Sequence, residues 1–435
     1  MSKDLEAWAK TKKVKYFLIS FVDLFGVLRA KLVPTRAIKD MQKEGAGFAG
    51  FAAYLDMTPA HPDMFGVPDP DSVIQLPWKP DVAWVAADLW MGGKEVEASP
   101  RVALKRQLAK AQKLGYRMKT GVECEYFLIN QDATAIYDTS DTQAKPCYDQ
   151  QALMRRYPVV SEICDAMIAM GWGPYQNDHE DANGQFEMNW DYDDALKTAD
   201  RHVFFKYMVK TIAENHEMRA TFMPKPFANL TGNGCHAHVS LWDKSGKKNL
   251  FLAKKDELGL SELAYHFLGG VMNSATSLCA IFNPAVNSYK RIGAPVTSSG
   301  ATWSPNAVTY SGNNRTHMIR VPDDGRFELR LMDGAANPYL MQAGVLAAGL
   351  DGINNKRDPG KPVHLNMYEE GHKVKGAKQL PSTLHDALRL LESSKPLKEG
   401  LGEELVQAYI KLKMQEWNQY MGHLSDWERR NTLDC

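Results

Sequence analysis

The sequence predicts an α+β protein in which a small N-terminal domain, residues 1–99, precedes a larger C-terminal domain, residues 100–435. Three observations predict it. A chain of 435 residues is long for a single domain. Beyond Tyr116, helical and strand-like segments alternate so that helices gather around a mostly antiparallel set of strands. Between the two parts, Ser99-Pro100 opens a helix, RVALKRQLAKAQKLG, with proline tolerated in its first turn, and the boundary falls just before it.

In the N-terminal part, VKYFLISFVDLFGVLRAKLVP gives two β-prone runs joined at Leu24-Phe25-Gly26, a hairpin signal. A helical stretch is expected near Thr35 to Lys43, followed by the glycine-rich segment EGAGFAGFAAY. PDPDSVIQLP and DVAWVAADLW read as further strands. In the C-terminal part, TGVECEYFLIN is a strand and Gln151 to Met170 a helix. GPYQNDHEDANGQFEMNW is a turn-linked strand pair, and Asp200 to Arg219 is helical. A strand from Gly234 to Trp242 and a long helix near Leu260 to Ile281 follow. Arg320 to Leu331 has the pattern of a hairpin, and Pro338 to Asn355 that of a buried helix. Amphipathic helices near Thr383 to Ser394 and Glu403 to Met421 close the chain.

Composition excludes several function classes. Lysine plus arginine equals aspartate plus glutamate at 52 each, so no global field favours nucleic acid or an anionic membrane. The charged start, KDLEAWAKTKK, lacks the apolar core of a signal peptide, and no apolar run is long enough to span a membrane. Six scattered cysteines without a CxxC pair argue for reduced thiols rather than a disulfide framework or structural zinc. A cytoplasmic protein is expected.

The chemistry is carried by alternating ligand residues. In GVECEYFLIN, Glu123 and Glu125 point to one side of an apolar strand, a costly placement unless a cation neutralises them. In TGNGCHAHVSL, His236, His238 and Ser240 share a face. Glu180 and Glu187 flank the turn DANGQF, and Glu328 stands between Arg326 and Arg330. Each pattern alone also fits a solvated strand edge or a cross-strand salt-bridge ladder. Together, five glutamates and His236 suffice for two hard divalent ions, with water completing each shell. Arg291, Arg315, Arg320, Arg326 and Arg330 gather in the sequence around Glu328. Divalent metal plus several arginines is the composition of a phosphoryl-transfer site. Neither GxxxxGK[ST] nor a GxGxxG after a strand is present, which argues against a P-loop or Rossmann nucleotide site.

The stretches GVECEYF, HEDANGQFE, TFMPKPF, GNGCHAHVSL, NPAVNSYKR, NNRTHMIRVP, RFELRLMD and AANPYL, in this order and spacing, resemble the glutamine synthetase family across nearly the whole chain. The resemblance implies a small N-terminal β-grasp domain, a C-terminal catalytic domain of the glutamine synthetase and guanido-kinase type, and ATP with two or more Mg²⁺ or Mn²⁺ per site. It also implies a homo-oligomer of two stacked hexameric rings with sites shared between subunits. By position, Glu125, Glu180 and Glu187 would hold one metal, and Glu123, His236 and Glu328 the other. Arg315 and Arg326 would neutralise the moving phosphoryl group. Arg291, Arg330 and Gly232 would bind glutamate. His238, Ser240, Arg320 and, in a loose alignment, Tyr192 would lie on the nucleotide side.

Departures from the family concentrate at the amine end. Ala49 and Ala52 stand where the family takes an aspartate and a serine from a neighbouring subunit, and Trp303 replaces an acidic flap position; Tyr148 and Glu180 remain. Ammonium needs acidic groups to bind and deprotonate it, whereas an apolar wall accommodates an alkyl group, with one methyl contributing roughly 1 kcal/mol. The chain therefore resembles most closely the γ-glutamylmethylamide synthetase and type III branches of the family. The expected reaction joins the glutamate γ-carboxyl, through γ-glutamyl phosphate, to a small amine, methylamine first. Glutamine synthesis from ammonia and a non-catalytic structural role are the alternatives. Thr231 replaces the asparagine that usually precedes the glutamate-binding glycine. The hairpin VPDDGR offers no lysine for the nucleotide. Tyr368 aligns loosely with a tyrosine that some relatives adenylylate, in different surroundings that favour a plain surface tyrosine.

Overall fold

The computed structural model describes residues 3–435 and contains two sheets wrapped by helices. The first sheet runs in the order Leu28–Pro34, Tyr16–Val22, Val82–Met91, Met64–Pro68, Ala46–Phe48. Its hairpin turns where expected. The Asp23 carboxylate accepts the backbone N–H groups of Phe25 and Val27, both at 3.0 Å, and Gly26 takes the left-handed φ of 81° that the turn requires. Tyr16–Val22 pairs antiparallel with its hairpin partner and parallel with Val82–Met91. Behind this sheet, Phe17, Ile19, Val33, Ala83 and Val85 pack against Leu5 and Ala9.

Leu5 and Ala9 belong to a helix, Leu5–Lys12, that the charged sequence hid. Its apolar side is narrow, and Asp4 caps it by accepting the N–H groups of Glu6 and Ala7. The glycine-rich segment also holds structure: a short strand, Ala46–Phe48, and a 3₁₀ turn, Gly50–Ala52. PDPDSVIQLP is mostly turn, with a 3₁₀ segment at Pro70–Ser72 capped by Asp69 and a strand of only Ile74–Gln75.

The second sheet runs Tyr310–Ser311, Ile319–Arg320, Phe327–Leu329, Cys235–Asp243, Tyr116–Ile129, Gln185–Trp190, Pro174–His179. Tyr116–Ile129 is the longest strand and lies at its centre. Its side chains split by the period-two rule: Met118, Val122, Cys124, Tyr126 and Leu128 enter the main core, whereas Glu123 and Glu125 face the opposite side. Cys235–Asp243 divides the same way, with Cys235, Ala237, Val239 and Leu241 in the core. Helices Pro100–Lys113, Ala195–Asn215, Glu262–Phe282 and Pro338–Asn354 cover the apolar side. The helix expected from Asp200 begins earlier, at Ala195, and the one from Gln151 is broken at Arg156 into Gln150–Arg155 and Tyr157–Ala169. Among the described residues, no helix is long and apolar enough to cross a membrane.

A buried arginine ties the layers together. Arg101 donates to Asp88 at 2.6 Å and Asp69 at 2.8 Å from the first sheet's side. It donates twice, at 3.0 Å each, to Asp200 on the Ala195–Asn215 helix, and Tyr339 donates its hydroxyl to Asp200 at 2.6 Å.

Candidate active site

Strand register assembles the carboxylates into a row across four strands. Glu187 stands opposite Glu125, Glu123 opposite His236, and His238 opposite Glu328. Glu180 lies off the strands: it follows Pro174–His179, and its carboxylate accepts the N–H of Asp181 at 2.8 Å. The row borders two cavities. One, of about 150 Å³, is lined among others by Glu125, Glu180, Glu187, Arg291, Arg315 and Arg330. The other, of about 420 Å³, is lined by His238, Ser240, Tyr192, Trp242, Lys119 and Arg326, among others. Glu123 lines both, so it marks their junction.

Ligand atoms of Glu125, Glu180 and Glu187 come within 4.8 Å of one another. Burial, and then the neighbouring carboxylates, push Glu180 and Glu187 well above the usual carboxylate range. A divalent cation is what such crowded, desolvated oxygens fit. In the second expected set, His236 Nδ1 stands 3.4 Å from Glu123 and 3.5 Å from Glu328. Glu123 groups with Glu187 and His236, and again with His238 and Glu328. Burial raises Glu123, but hydrogen bonds from His236 and His238 outweigh it and hold the carboxyl well below its usual range. His238 Nε2 lies 2.8 Å from Glu123, so this residue, expected only beside the nucleotide, also touches the carboxylate row. Glu328 is bound by Arg330 at 2.5 Å and Arg320 at 2.8 Å, and burial, outweighed by Arg330 and the two histidines, leaves its pKa at about 2. In the smaller cavity, the buried atoms Asp178 Oδ1, His236 Nε2, Trp303 Nε1 and Arg330 Nε have no hydrogen-bond partner among the described residues. These are unmet groups that a polar ligand and its cations would satisfy.

At two glycines a side chain would crowd the neighbouring groups. A Cβ on Gly232 would stand 2.3 Å from the Pro224 carbonyl oxygen, and one on Gly234 would meet His236 Nε2 at 2.9 Å and Glu125 Oε1 at 3.0 Å. Arg291 is buried and donates to the Leu331 carbonyl at 3.2 Å. Trp303 and Tyr148, both lining the smaller cavity, hold non-glycine backbones at φ 53° and 66°. The Tyr148 phenol is raised to about 12 by burial and then by Cys147. Ala49 and Ala52 do not join this group; both are exposed around the Gly50–Ala52 turn and line neither cavity. Tyr368 lies by Thr302 and Arg330, at the edge of the site.

Several residues in or beside the cavities escaped the sequence reading. Asp178 faces Glu125 and Glu123, and burial followed by those charges raises it to about 6. Gln185 donates to Glu125 at 3.1 Å, and Asn189 to Glu187 at 2.9 Å. Asp181 accepts the Thr231 hydroxyl at 2.7 Å and also that of Ser299, fastening the segment that leads to Trp303. Lys119 places its Nζ 4.1 Å from the Trp242 ring centre in the larger cavity. The signal was present: Lys119, Gly121, Glu123 and Glu125 share one strand face, and Asn189 follows Glu187 at the same spacing.

Comparisons with known proteins bear on the family of the chain. The family model "Glutamine synthetase, catalytic domain" matches residues 97–432. A glutamine synthetase of Rhizobium leguminosarum bv. phaseoli is 63% identical over 434 residues, covering 100% of both chains. A glutamate–methylamine ligase of Methyloversatilis universalis is 42% identical over 440 residues, covering 99% of each. A solved GmaS–ADP complex superposes with a TM-score of 0.96 at 62% identity, over 99% of this chain and 100% of that one.

Proposed function

The chain belongs to the glutamine synthetase family of ATP-dependent ligases that form carbon–nitrogen bonds, and from that premise we propose that it joins the γ-carboxyl of L-glutamate to methylamine. The observation that carries the choice of amine is Trp303, an indole in the wall of the cavity that also holds Glu180 and Tyr148. An apolar wall there removes a charge that would hold ammonium and offers a surface to a methyl group.

In this reading, Glu125, Glu180 and Glu187, with Glu123, His236 and Glu328 beside them, would hold two Mg²⁺ or Mn²⁺ ions. Such ions supply charge neutralisation for the phosphates. The chain's own residues do the rest. Arg291, Arg330 and the open backbone at Gly232 bind and orient glutamate. Arg315, Arg320 and Arg326 offset charge on the phosphoryl group as it moves to the γ-carboxylate, because a carboxylate must be activated before an amine can displace its oxygen. His238, Ser240, Tyr192, Lys119 and Trp242 receive the nucleotide. Tyr148 and Glu180 orient the amine, and the Glu180 carboxylate accepts its proton. Residues 1–99 act as a separate N-terminal domain whose exposed Ala49 and Ala52 reach the amine end of a neighbouring subunit in a double ring of six-membered layers. Six free cysteines fit a cytoplasmic location.

Ammonia is the competing substrate, favoured by the name of the 63%-identical Rhizobium relative. A competition assay of the purified protein with ATP, Mg²⁺ and glutamate decides between them. Methylamine should give the higher kcat/KM over ammonium, ethylamine and putrescine; a higher value for ammonium would refute the assignment.

A further inference from the structure

The side of the central strands turned away from the carboxylates carries a second convergence of ligand atoms. Cys124 and Cys235 stand directly opposite each other in the antiparallel register. From the Ala195–Asn215 helix, His202 reaches toward both, with Nε2 at 3.5 Å from the Cys124 sulfur and 3.7 Å from the Cys235 sulfur. All three side chains are fully buried, and their donor atoms lie within 4.8 Å of one another. The other ring nitrogen, Nδ1, has no hydrogen-bond partner among the described residues. A buried imidazole whose only hydrogen-bond partners among the described residues are two thiols, weak partners at best, is a costly arrangement that ligation through Nε2 would relieve at that nitrogen.

The distances fit that use. Metal–sulfur bonds of about 2.3 Å and metal–nitrogen bonds of about 2.0–2.1 Å, at tetrahedral to trigonal angles, separate nitrogen from sulfur by roughly 3.5–3.8 Å. Soft sulfur donors exclude Mg²⁺ and select a thiophilic ion. Charge selects a divalent one, since two thiolates and a neutral imidazole balance two positive charges and leave a neutral complex in the core. We propose that Cys124, His202 and Cys235 form a buried site for one thiophilic divalent ion of the zinc class, separate from the carboxylate row. Binding would form two metal–sulfur bonds and one metal–nitrogen bond and release the two thiol protons. The ion would staple the two central strands to the helix behind them. Spacing hides the site in the sequence, because the three ligands come from distant segments with no CxxC pair.

Because the site is closed, the ion enters as the chain folds and should resist chelators. The test uses the full chain expressed in zinc-supplemented medium and washed with EDTA, which strips the open carboxylate row. Elemental analysis should find about one zinc per chain, and zinc-edge X-ray absorption should show two sulfur neighbours and one nitrogen. Cys124→Ser and Cys235→Ser should each lower the retained zinc roughly tenfold, while Cys147→Ser leaves it unchanged. Washed wild-type protein free of zinc, zinc with only nitrogen and oxygen neighbours, or a Cys124–Cys235 disulfide seen by mass would each overturn the proposal. The wild-type measurement decides even if a cysteine variant fails to fold.

Discussion

Gly234 donates its backbone N–H to the Glu125 carboxylate at 2.6 Å, so the entry to the His236 strand positions one carboxylate of the row on its neighbour. A side chain at Gly234 would press on Glu125, His236 and the Arg291 guanidinium at once, at 3.0, 2.9 and 3.1 Å. These are tips of flexible side chains, so the fold should tolerate the change while the site does not. Gly234→Ala should lower kcat about 100-fold, the order expected for displacing reacting groups by an ångström, and weaken Mn²⁺ binding. Steady-state kinetics and a Mn²⁺ titration check it; a kcat within about threefold of wild type would exclude this role.

Arg101 tests the joint between the sheets. Removing it as Arg101→Met leaves Asp69, Asp88 and Asp200 without their shared cation in a buried setting, which should cost about 3–5 kcal/mol in chemical denaturation. The network also predicts acid sensitivity. Burial raises Asp69, but Arg101 outweighs it and the folded pKa falls below the ordinary 3.8. A carboxyl lowered in the folded state contributes stability that is present above 3.8 and lost as pH falls through the folded value. The wild-type advantage over Arg101→Met should therefore shrink below that pH, and an advantage independent of pH would contradict it.

The larger cavity has a cation that the hairpin could not supply. Lys119 stands in the larger cavity, over Trp242 and 5.9 Å from the Tyr192 ring, and donates to the Gly246 carbonyl at 3.1 Å. Lys119→Met should raise the KM for ATP roughly tenfold while changing kcat less, as expected for a group that binds ground and transition states alike. An unchanged KM for ATP would remove Lys119 from the nucleotide site.

Period two made much of this site legible. It placed Glu123 with Glu125, and His236 with His238, on common faces, and the register then brought those pairs beside Glu187 and Glu328. What it could not supply was depth in the third dimension. Asp178 belongs to a strand whose exposed residues resemble a solvated edge, and it matters only because folding sets it against Glu125. Leu5–Lys12 was hidden because only Leu5 and Ala9 need be apolar to dock so short a helix. The cysteine pair facing His202 was hidden because a cross-strand contact between remote segments leaves no local spacing to detect.

Trp303 carries the question of the amine. Its indole lines the cavity from a segment fastened at Ser299 to Asp181, which itself follows Glu180 in the chain, so wall and acid are mechanically joined. Trp303→Glu should restore a carboxylate to that wall, strengthening ammonium binding and crowding out the methyl group. The ratio of kcat/KM for ammonium to that for methylamine should rise about tenfold or more, a change of roughly 1.4 kcal/mol in relative transition-state binding. Both amines must be assayed at one pH, because each binds as a cation that has to lose a proton before it attacks. A rise for both amines in equal measure would mean that the wall sets access rather than choice. An unaltered ratio would move the discrimination away from Trp303, toward the exposed Ala49 and Ala52 turn.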